Sequence, residues 1–280
     1  AFSKLEPASL KTAVDEAQGK IAYNYYAPEL YDRRMGVLQA VATTGKNQGK
    51  TIATVVNYAS HPEILGTKQK LISPDFCGPL YDRIESQTGG VAIYMNSAQG
   101  GMVTADNRLE NGGEASDWNE CIRIGNLMAD EALRIIKSAP VQQNPVLYCT
   151  SKIIEFPIES EAMKFVLKNS PLVDSEAKTG DLSKITTQLN LLNIGQAQVL
   201  TIPGEALPNI GFYINRHMKT DQPFLFGLTN DAFGYIISKE DFNSFKRYEY
   251  ISRVSLGEMT GEIYGREALK MIEENPGAEN

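Results

Sequence analysis

Three side chains that could bind a metal ion stand far apart in the sequence, each shortly after an apolar run. His61 lies in the segment NYASHP, Glu205 in IPGE, and Tyr235 in GLTNDAFGYIISKEDF. Side chains that emerge from the ends of rigid strands can converge in one cleft. An imidazole, a carboxylate and a phenol would there form a ligand set for Zn²⁺, with one coordination position open to water.

Each of these residues, taken alone, also has a simpler interpretation. His61 is equally explained as a surface or hydrogen-bonded structural histidine, Glu205 as an acidic residue in the first turn of a helix, and Tyr235 as an amphipathic residue at the core edge. The chain contains two histidines, so an imidazole-rich site is excluded. His217 lies about three helical turns beyond Glu205 and is predicted to interact with the C-terminal end of a helix or with solvent.

A fourth element is the loop NSAQGGMVTAD, residues 96–106, which follows a predicted buried strand. Its glycines allow the backbone to approach a ligand closely, and we expect Gly101 to contribute to substrate binding. Thr104 adds a hydroxyl group to the same loop. The loop does not match the GxxxxGK[ST] pattern of a phosphate-binding loop, so nucleotide binding is not indicated.

Composition and charge narrow the classes of protein to consider. Apolar residues make up 42% and charged residues 22% of the chain, which is typical of a folded globular protein. The net charge of −7 disfavours nucleic acid as a partner. No apolar run approaches the ~20 residues that cross a bilayer, so no transmembrane segment is predicted. The three cysteines lack paired CxxC spacing and leave the compartment open.

The pattern of apolar residues predicts one mixed α/β domain over residues 1–280, with a mixed sheet flanked by helices in a single layered unit. Residues 159–184 are predicted to be an excursion with short helices. We expect hairpins where strands 35–42 and 51–58, and strands 187–194 and 197–202, follow each other. The remaining strands are predicted at 91–96, 146–158 and 224–228, and helices at 79–88, 117–137, 205–218 and 258–274.

Five motifs, in this order, resemble the catalytic domain of the neutral, non-lysosomal ceramidases. They are NYASHP, SPDFCG, NSAQGGMVTAD, IPGE, and GLTNDAFGYIISKEDF followed by RYEY. The resemblance extends over residues 31–250 and is to a divergent bacterial member of the family. It implies a ceramidase-like fold in which His61 is a zinc histidine, Glu205 the carboxylate ligand and Tyr235 an unusual tyrosine ligand.

The resemblance further implies a zinc-dependent hydrolase that cleaves a linear amide bond in a ceramide-like or other N-acyl lipid by metal-activated water. Met102 and Thr104 stand where the family has an aspartate and a serine, so Thr104 is implied as the catalytic hydroxyl while the aspartate's charge is missing. Asp75 and Gly78 match an Asp-x-x-Gly segment without an assigned role. The aromatic stretch 233–250 is predicted to line either an acyl-chain groove or the core.

The family's first zinc histidine lies upstream of these motifs, and residues 1–30 contain no histidine. Either an N-terminal segment or a separate chain outside this sequence supplies that ligand, or this protein has lost it. The alternative function is a catalytically inactive protein of the ceramidase fold that binds a lipid or another ligand. The resemblance also implies an extracytoplasmic setting, secreted or periplasmic, and a part in sphingolipid metabolism.

Overall fold

The computed structural model describes residues 5–67, 70–171 and 180–278. The strands, in chain order, are β1 (Ala8–Glu16), β2 (Ala22–Asn24), β3 (Arg34–Ala42), β4 (Thr51–Tyr58), β5 (Val91–Asn96), β6 (Val103–Ala105), β7 (Leu147–Pro157), β8 (Lys184–Ile194), β9 (Ala197–Thr201), β10 (Glu205–Ala206), β11 (Gln222–Phe226) and β12 (Tyr235–Ile236). The helices are α1 (Cys77–Thr88), α2 (Trp118–Lys137), α3 (Glu161–Asn169), α4 (Pro208–Asn215), α5 (Glu249–Arg253) and α6 (Thr260–Glu274).

The first of two four-stranded sheets has the strand order β1-β3-β4-β5. β1, β3 and β4 pair antiparallel, and β5 pairs parallel with β4. This confirms the hairpin predicted at 35–42 and 51–58 and the strand predicted at 91–96. β1 was not predicted, because its sequence ASLKTAVDE carries few β-branched residues and becomes fully polar at its end.

Helices α1 and α2 pack together and bury their apolar faces against this sheet. Asp117 caps α2, since its side chain accepts a hydrogen bond from the backbone N–H of Glu120 at 3.0 Å. Fully buried side chains of this core include Ile21, Met35, Tyr58, Phe76, Leu80, Ile84, Ile124 and Met128.

The second sheet has the strand order β11-β9-β8-β7, in which β9 and β11 are parallel and the other pairs antiparallel. The hairpin predicted from residues 187–202 is therefore confirmed. α6 covers this sheet. α3 is one of the short helices expected in residues 159–184. Residues 172–179 of that segment lie outside the described part of the chain. The predicted class, mixed α/β with helices flanking mixed strands, is confirmed. The described strands form two four-stranded sheets and two two-stranded ones, β2 with β6 and β10 with β12. No helix in the described ranges is long and apolar enough to cross a membrane.

The two sheets are joined by the buried side chain of Asn57, at the end of β4. Its amide donates to the carbonyl oxygen of Leu225 in β11 at 2.8 Å and accepts from the backbone N–H of Leu225 at 3.2 Å. Beside it, the N–H of Gly227 donates to the carbonyl oxygen of Asn96 at 2.8 Å. Because β4 is parallel to β5 and β9 is parallel to β11, these contacts place the carboxyl ends of all four strands at one edge.

Replacing Asn57 with Ala should weaken this joint. The substitution leaves the buried N–H and C=O of Leu225 without their side-chain partner, so we expect the free energy of unfolding to fall by about 2–4 kcal/mol. Urea denaturation followed by circular dichroism measures the change. Asn119→Ala, at an exposed position of α2, is the matched control and should stay within about 0.5 kcal/mol of the parent protein. Equal midpoints for the two variants would contradict the assignment of Asn57 as the joint.

Candidate metal centre

His61 lies shortly after the end of β4, in the turn that precedes Pro62, as predicted. Its backbone N–H and its ring Nδ1 both donate to the carbonyl oxygen of Val103, at 3.0 and 2.7 Å. The opposite ring nitrogen, Nε2, lies 2.8 Å from Oε2 of Glu205. A backbone carbonyl that binds one ring nitrogen sets the orientation of the imidazole and leaves the other nitrogen for a ligand or a metal.

The charge state of His61 follows from these two contacts. Burial acts to lower the pKa of His61, but the hydrogen bond and the negative charge of Glu205, together with the Val103 carbonyl, outweigh burial and hold the pKa above its ordinary value. Both ring nitrogens face acceptors, an arrangement that favours the protonated imidazole over the neutral one. If a metal ion were bound here, His61 and Glu205 would hold it, and the Nε2 proton would have to be released.

Glu205 and Tyr235 are brought together by the short parallel pair β10 and β12, in which they stand directly opposite each other. Residues opposite each other in such a pair extend their side chains to the same face. Tyr235 is 5% exposed, and burial, together with the charge of Glu205, raises the pKa of its phenol far above the ordinary value. Its hydroxyl donates to Sδ of Met102 at 3.3 Å. The phenol is therefore neutral unless a cation replaces its proton.

Our prediction that Glu205 begins a helix was wrong. Glu205 begins β10, and α4 extends only from Pro208 to Asn215. Two hydrogen bonds keep this segment extended, from the N–H of Gly100 to the carbonyl oxygen of Ala206 at 2.9 Å and from the N–H of Leu207 to Ile236 at 3.0 Å. Pro208 also disfavours helical geometry at the preceding residue. The carboxylate is consequently set by strand pairing rather than by a helix terminus.

The loop after β5 lies against β10 so closely that a side chain would not fit at Gly100. A Cβ atom there would stand 2.3 Å from the carbonyl oxygen of Glu205. Met102 has a positive φ of 65°, which turns the chain back toward His61. The glycine-containing loop predicted from the sequence thus packs on the strand that carries the candidate carboxylate ligand.

Thr104 and Gly101, the other predicted site residues, lie in the same loop but in different surroundings. Thr104 belongs to β6, opposite Tyr23 of β2, and forms an isolated β-bridge with His61. It lines a cavity beside the centre. Gly101 is buried, and a Cβ atom there would lie 3.4 Å from the side chain of Leu207. The structure therefore places Thr104 beside His61, and the roles of Thr104 and Gly101 stay predictions.

Two solved structures share this arrangement of strands and helices. The crystal structure of neutral ceramidase from Pseudomonas aeruginosa superposes with a TM-score of 0.75 at 18% identity, covering 99% of this chain and 54% of that chain. A ceramidase complexed with C2 gives a TM-score of 0.76 at 17% identity, covering 100% of this chain and 56% of that one. The chain has a ceramidase-like fold. It spans about half the length of these ceramidases. No family model matches the sequence, and no curated protein matches it.

Within this ceramidase-like fold, Asp75 anchors the segment that follows His61. Its carboxylate accepts hydrogen bonds from the N–H of Leu65 at 2.9 Å and of Phe76 at 2.8 Å. Its backbone is left-handed, with φ of 52°, a conformation that aspartate tolerates better than most residues. The role of Asp75 and the hydrogen bond of His61 to the Val103 carbonyl were not predicted from the sequence. An aspartate just before a helix often accepts hydrogen bonds from nearby backbone N–H groups, so Asp75 could have been recognised. A backbone carbonyl leaves no such mark, because every residue has one.

His217 lies apart from the centre, as predicted. It is exposed just beyond α4, where its Nδ1 donates to the carbonyl oxygen of Tyr213 at 2.8 Å. In the described ranges, no three side chains of His, Cys, Asp and Glu form a group that could hold a metal ion. The third donor of the candidate set is instead the phenol of Tyr235, beside the pair formed by His61 and Glu205.

Gly100→Ala should disturb the centre through its backbone. The added methyl group would stand 2.3 Å from a carbonyl oxygen, so β10 must shift, and we expect a loss of about 1–3 kcal/mol in the free energy of unfolding. Gly265→Ala is the control, because its added carbon meets nothing within 4 Å in α6. There, the better helix propensity of alanine should leave stability equal or raise it by up to about 1 kcal/mol. Thermal and urea unfolding compare the two; a Gly100→Ala protein as stable as Gly265→Ala would refute the close packing.

Proposed function

We propose that this protein is a zinc-dependent hydrolase that cleaves the amide bond of an N-acyl substrate. The observation that carries the proposal is the contact of 2.8 Å between Nε2 of His61 and Oε2 of Glu205, with Tyr235 directly opposite Glu205 in the β10 and β12 pair. Imidazole nitrogen and carboxylate oxygen are ligands that Zn²⁺ binds in proteins. The ceramidase-like fold supports an amide as the bond that is cleaved, because two solved structures that share it are ceramidases.

The surroundings of the donor set fit a metal ion. Ser60, which precedes His61, and Gln99, which precedes the close contact at Gly100, carry buried side-chain polar atoms that make no hydrogen bond within the described residues. Buried polar groups without partners are costly, so these side chains favour a polar ligand in the region. The expected additional histidine from an upstream segment or another chain stays part of the proposal.

The residues of this chain would contribute to hydrolysis in distinct ways. Zinc, when bound, supplies a Lewis acid and a water of lowered pKa. Val103 holds the imidazole of His61 so that Nε2 needs no reorientation to bind. Glu205 contributes the negative charge that offsets the cation. We propose that the hydroxyl of Thr104 hydrogen-bonds to the substrate amide, since Thr104 forms a β-bridge with His61.

Aromatic side chains next to the centre offer a surface for the acyl chain. The rings of Tyr235 and Tyr250 are 6.0 Å apart, and those of Tyr26 and Tyr248 are 5.4 Å apart. Phe245, 5.4 Å from Tyr248, is 60% exposed. We call Tyr26, Phe245, Tyr248 and Tyr250 the aromatic band. Exposed apolar surface of this kind is typical of binding sites, and we propose that the acyl chain packs on the band.

Metal analysis tests the donor set. The purified chain should bind about one equivalent of zinc. His61→Ala and Glu205→Gln should each weaken zinc binding by more than roughly 100-fold, because loss of a residue that only hydrogen-bonds to a metal ligand already costs about 10–100-fold. His217→Ala is the matched control and should keep the parent affinity, because it lies beyond α4. Isothermal titration calorimetry and elemental analysis give the affinities and stoichiometry. Zinc binding by His61→Ala equal to that of the parent would rule out the proposed centre.

One observation favours the alternative, a catalytically inactive binding protein. Met102, at the position where the family has an aspartate, contacts the hydroxyl of Tyr235 through its sulfur at 3.3 Å. Hydrolysis of N-acyl substrates by the zinc-loaded protein distinguishes the two functions. For a hydrolase, Tyr235→Phe should lower kcat/KM at least tenfold while the free energy of unfolding changes little, since the ring still fills its site. For a binding protein, substrate analogues bind but no amine is released.

A further inference from the structure

Strand β7 forms one edge of the second sheet, and in the described ranges its outer side pairs with no other strand. Just after β7, the N–H of Ile158 donates to the carbonyl oxygen of Ser183 at 2.7 Å. Just before it, the carbonyl oxygen of Val146 accepts from the N–H of Gly195 at 2.9 Å. Because hydrogen-bonded positions alternate along an antiparallel pair, the even-numbered residues of β7 bond to β8. The N–H and C=O groups of the odd-numbered residues therefore point away from the sheet.

The odd-numbered residues also carry the exposed side chains of β7, and those of residues 147–153 are uncharged. Leu147 is 72% exposed and Ile153 is 63% exposed, and Cys149 is exposed between them. Sheet edges are usually protected from pairing by charged side chains, by proline or by a covering element. In β7 the exposed charge of Glu155 comes only beyond this stretch. Residues 147–153 thus present a bare strand edge to which another strand can pair.

A second copy of β7 is complementary to this edge. We consider two copies that run antiparallel about a two-fold axis through Thr150. Leu147 then stands opposite the partner's Ile153, and Cys149 stands opposite the partner's Ser151, each in a hydrogen-bonded pair. The two most exposed apolar side chains of the strand therefore cover each other twice. Such self-complementarity is what a two-fold interface requires.

Charge favours this register over its neighbours. With the axis through Thr150, Lys152 stands opposite the partner's Tyr148, and no two like charges are directly opposed. Moving the axis one residue toward the carboxyl end would set Leu147 opposite the charged Glu155. Moving it two residues would set Lys152 opposite its own copy, which is destabilising.

The same pairing reaches an apolar groove of about 610 Å³ beside β7. Leu147, Leu192 and Ile194 line the groove from the sheet, and Leu10 of β1 lines it from the other side. Ile153 of the partner subunit would lie next to Leu147, at the edge of this groove. Burial of apolar surface there adds to the backbone hydrogen bonds. Exposed apolar patches of this kind are typical of protein–protein interfaces.

We propose that the protein forms a two-fold symmetric dimer in which residues 147–153 of β7 pair antiparallel with the same residues of a second copy. The outward groups of four residue pairs exchange about eight backbone hydrogen bonds. The second sheets of the two copies, each of four strands, join into one continuous sheet. This dimer is independent of the proposed hydrolysis, so either can fail without the other.

Sedimentation velocity of the purified chain across the micromolar range tests the dimer. We expect a reversible equilibrium between monomer and dimer. Ser151→Pro removes an outward N–H that β8 does not use, a position where an edge strand tolerates proline, and should raise the Kd of the dimer at least about tenfold. Ser151→Ala keeps the N–H and is the matched control, with the Kd of the parent chain.

Ile153→Lys tests the side-chain contact without changing the backbone. A lysine on the edge would stand against Leu147 of the partner subunit, so the Kd should again rise at least about tenfold. Ile122→Lys is the matched control, because Ile122 is also exposed but lies on α2. Circular dichroism verifies that each variant is folded.

Cys149 reports the register of the pair. In the proposed register its two copies are diagonal neighbours, about 7–8 Å apart. Cys77 and Cys121 are buried and Cys149 is exposed. Bismaleimidoethane should therefore link the parent chain into covalent dimers, and Cys149→Ser and Ile153→Lys should each abolish the link.

Three results would overturn the proposal. A chain that stays monomeric throughout the micromolar range excludes the dimer. A dimer whose Kd is unchanged by both Ser151→Pro and Ile153→Lys is formed by another surface. A dimer that is weakened by these variants but is not linked through Cys149 has a different register.

Discussion

The joint between the two sheets is the constraint on which the candidate site depends. The amide of Asn57 binds both backbone groups of Leu225, so the carboxyl ends of β4 and β5 are held beside those of β9 and β11. His61 follows β4, the loop with Thr104 follows β5, Glu205 follows β9 and Tyr235 follows β11. These buried hydrogen bonds between the sheets, with that from Gly227 to Asn96, bring four separate stretches of the chain to one edge, where ligands commonly bind in sheets with parallel strands.

The geometry at that edge is set mainly by backbone groups. The Val103 carbonyl orients His61, the paired strands β10 and β12 align Glu205 with Tyr235, and the absence of a side chain at Gly100 lets the loop reach β10. Such contacts tolerate little displacement of the three candidate donors. The electrostatics agree with the geometry, because an imidazolium beside a carboxylate and a neutral buried phenol can each give up a proton to a metal ion.

Long, strongly periodic elements were predictable from the sequence. Their apolar residues recur with the period of a strand or of a helix, which is the strongest sequence signal for secondary structure. This holds for the hairpin of β3 and β4, for β5 and for α2. Short elements were not, since β10 has two residues and owes its extended form to hydrogen bonds with Gly100 and Ile236 rather than to its own sequence. The resemblance to ceramidases nominated Tyr235, a residue type that spacing alone would have assigned to the core edge.

Residue types and their positions after apolar runs nominated an imidazole and a carboxylate as candidate donors, and the resemblance added the phenol of Tyr235. Tertiary structure alone determined which nitrogen of His61 faces Glu205, because the choice is made by a backbone carbonyl that any residue at position 103 would provide.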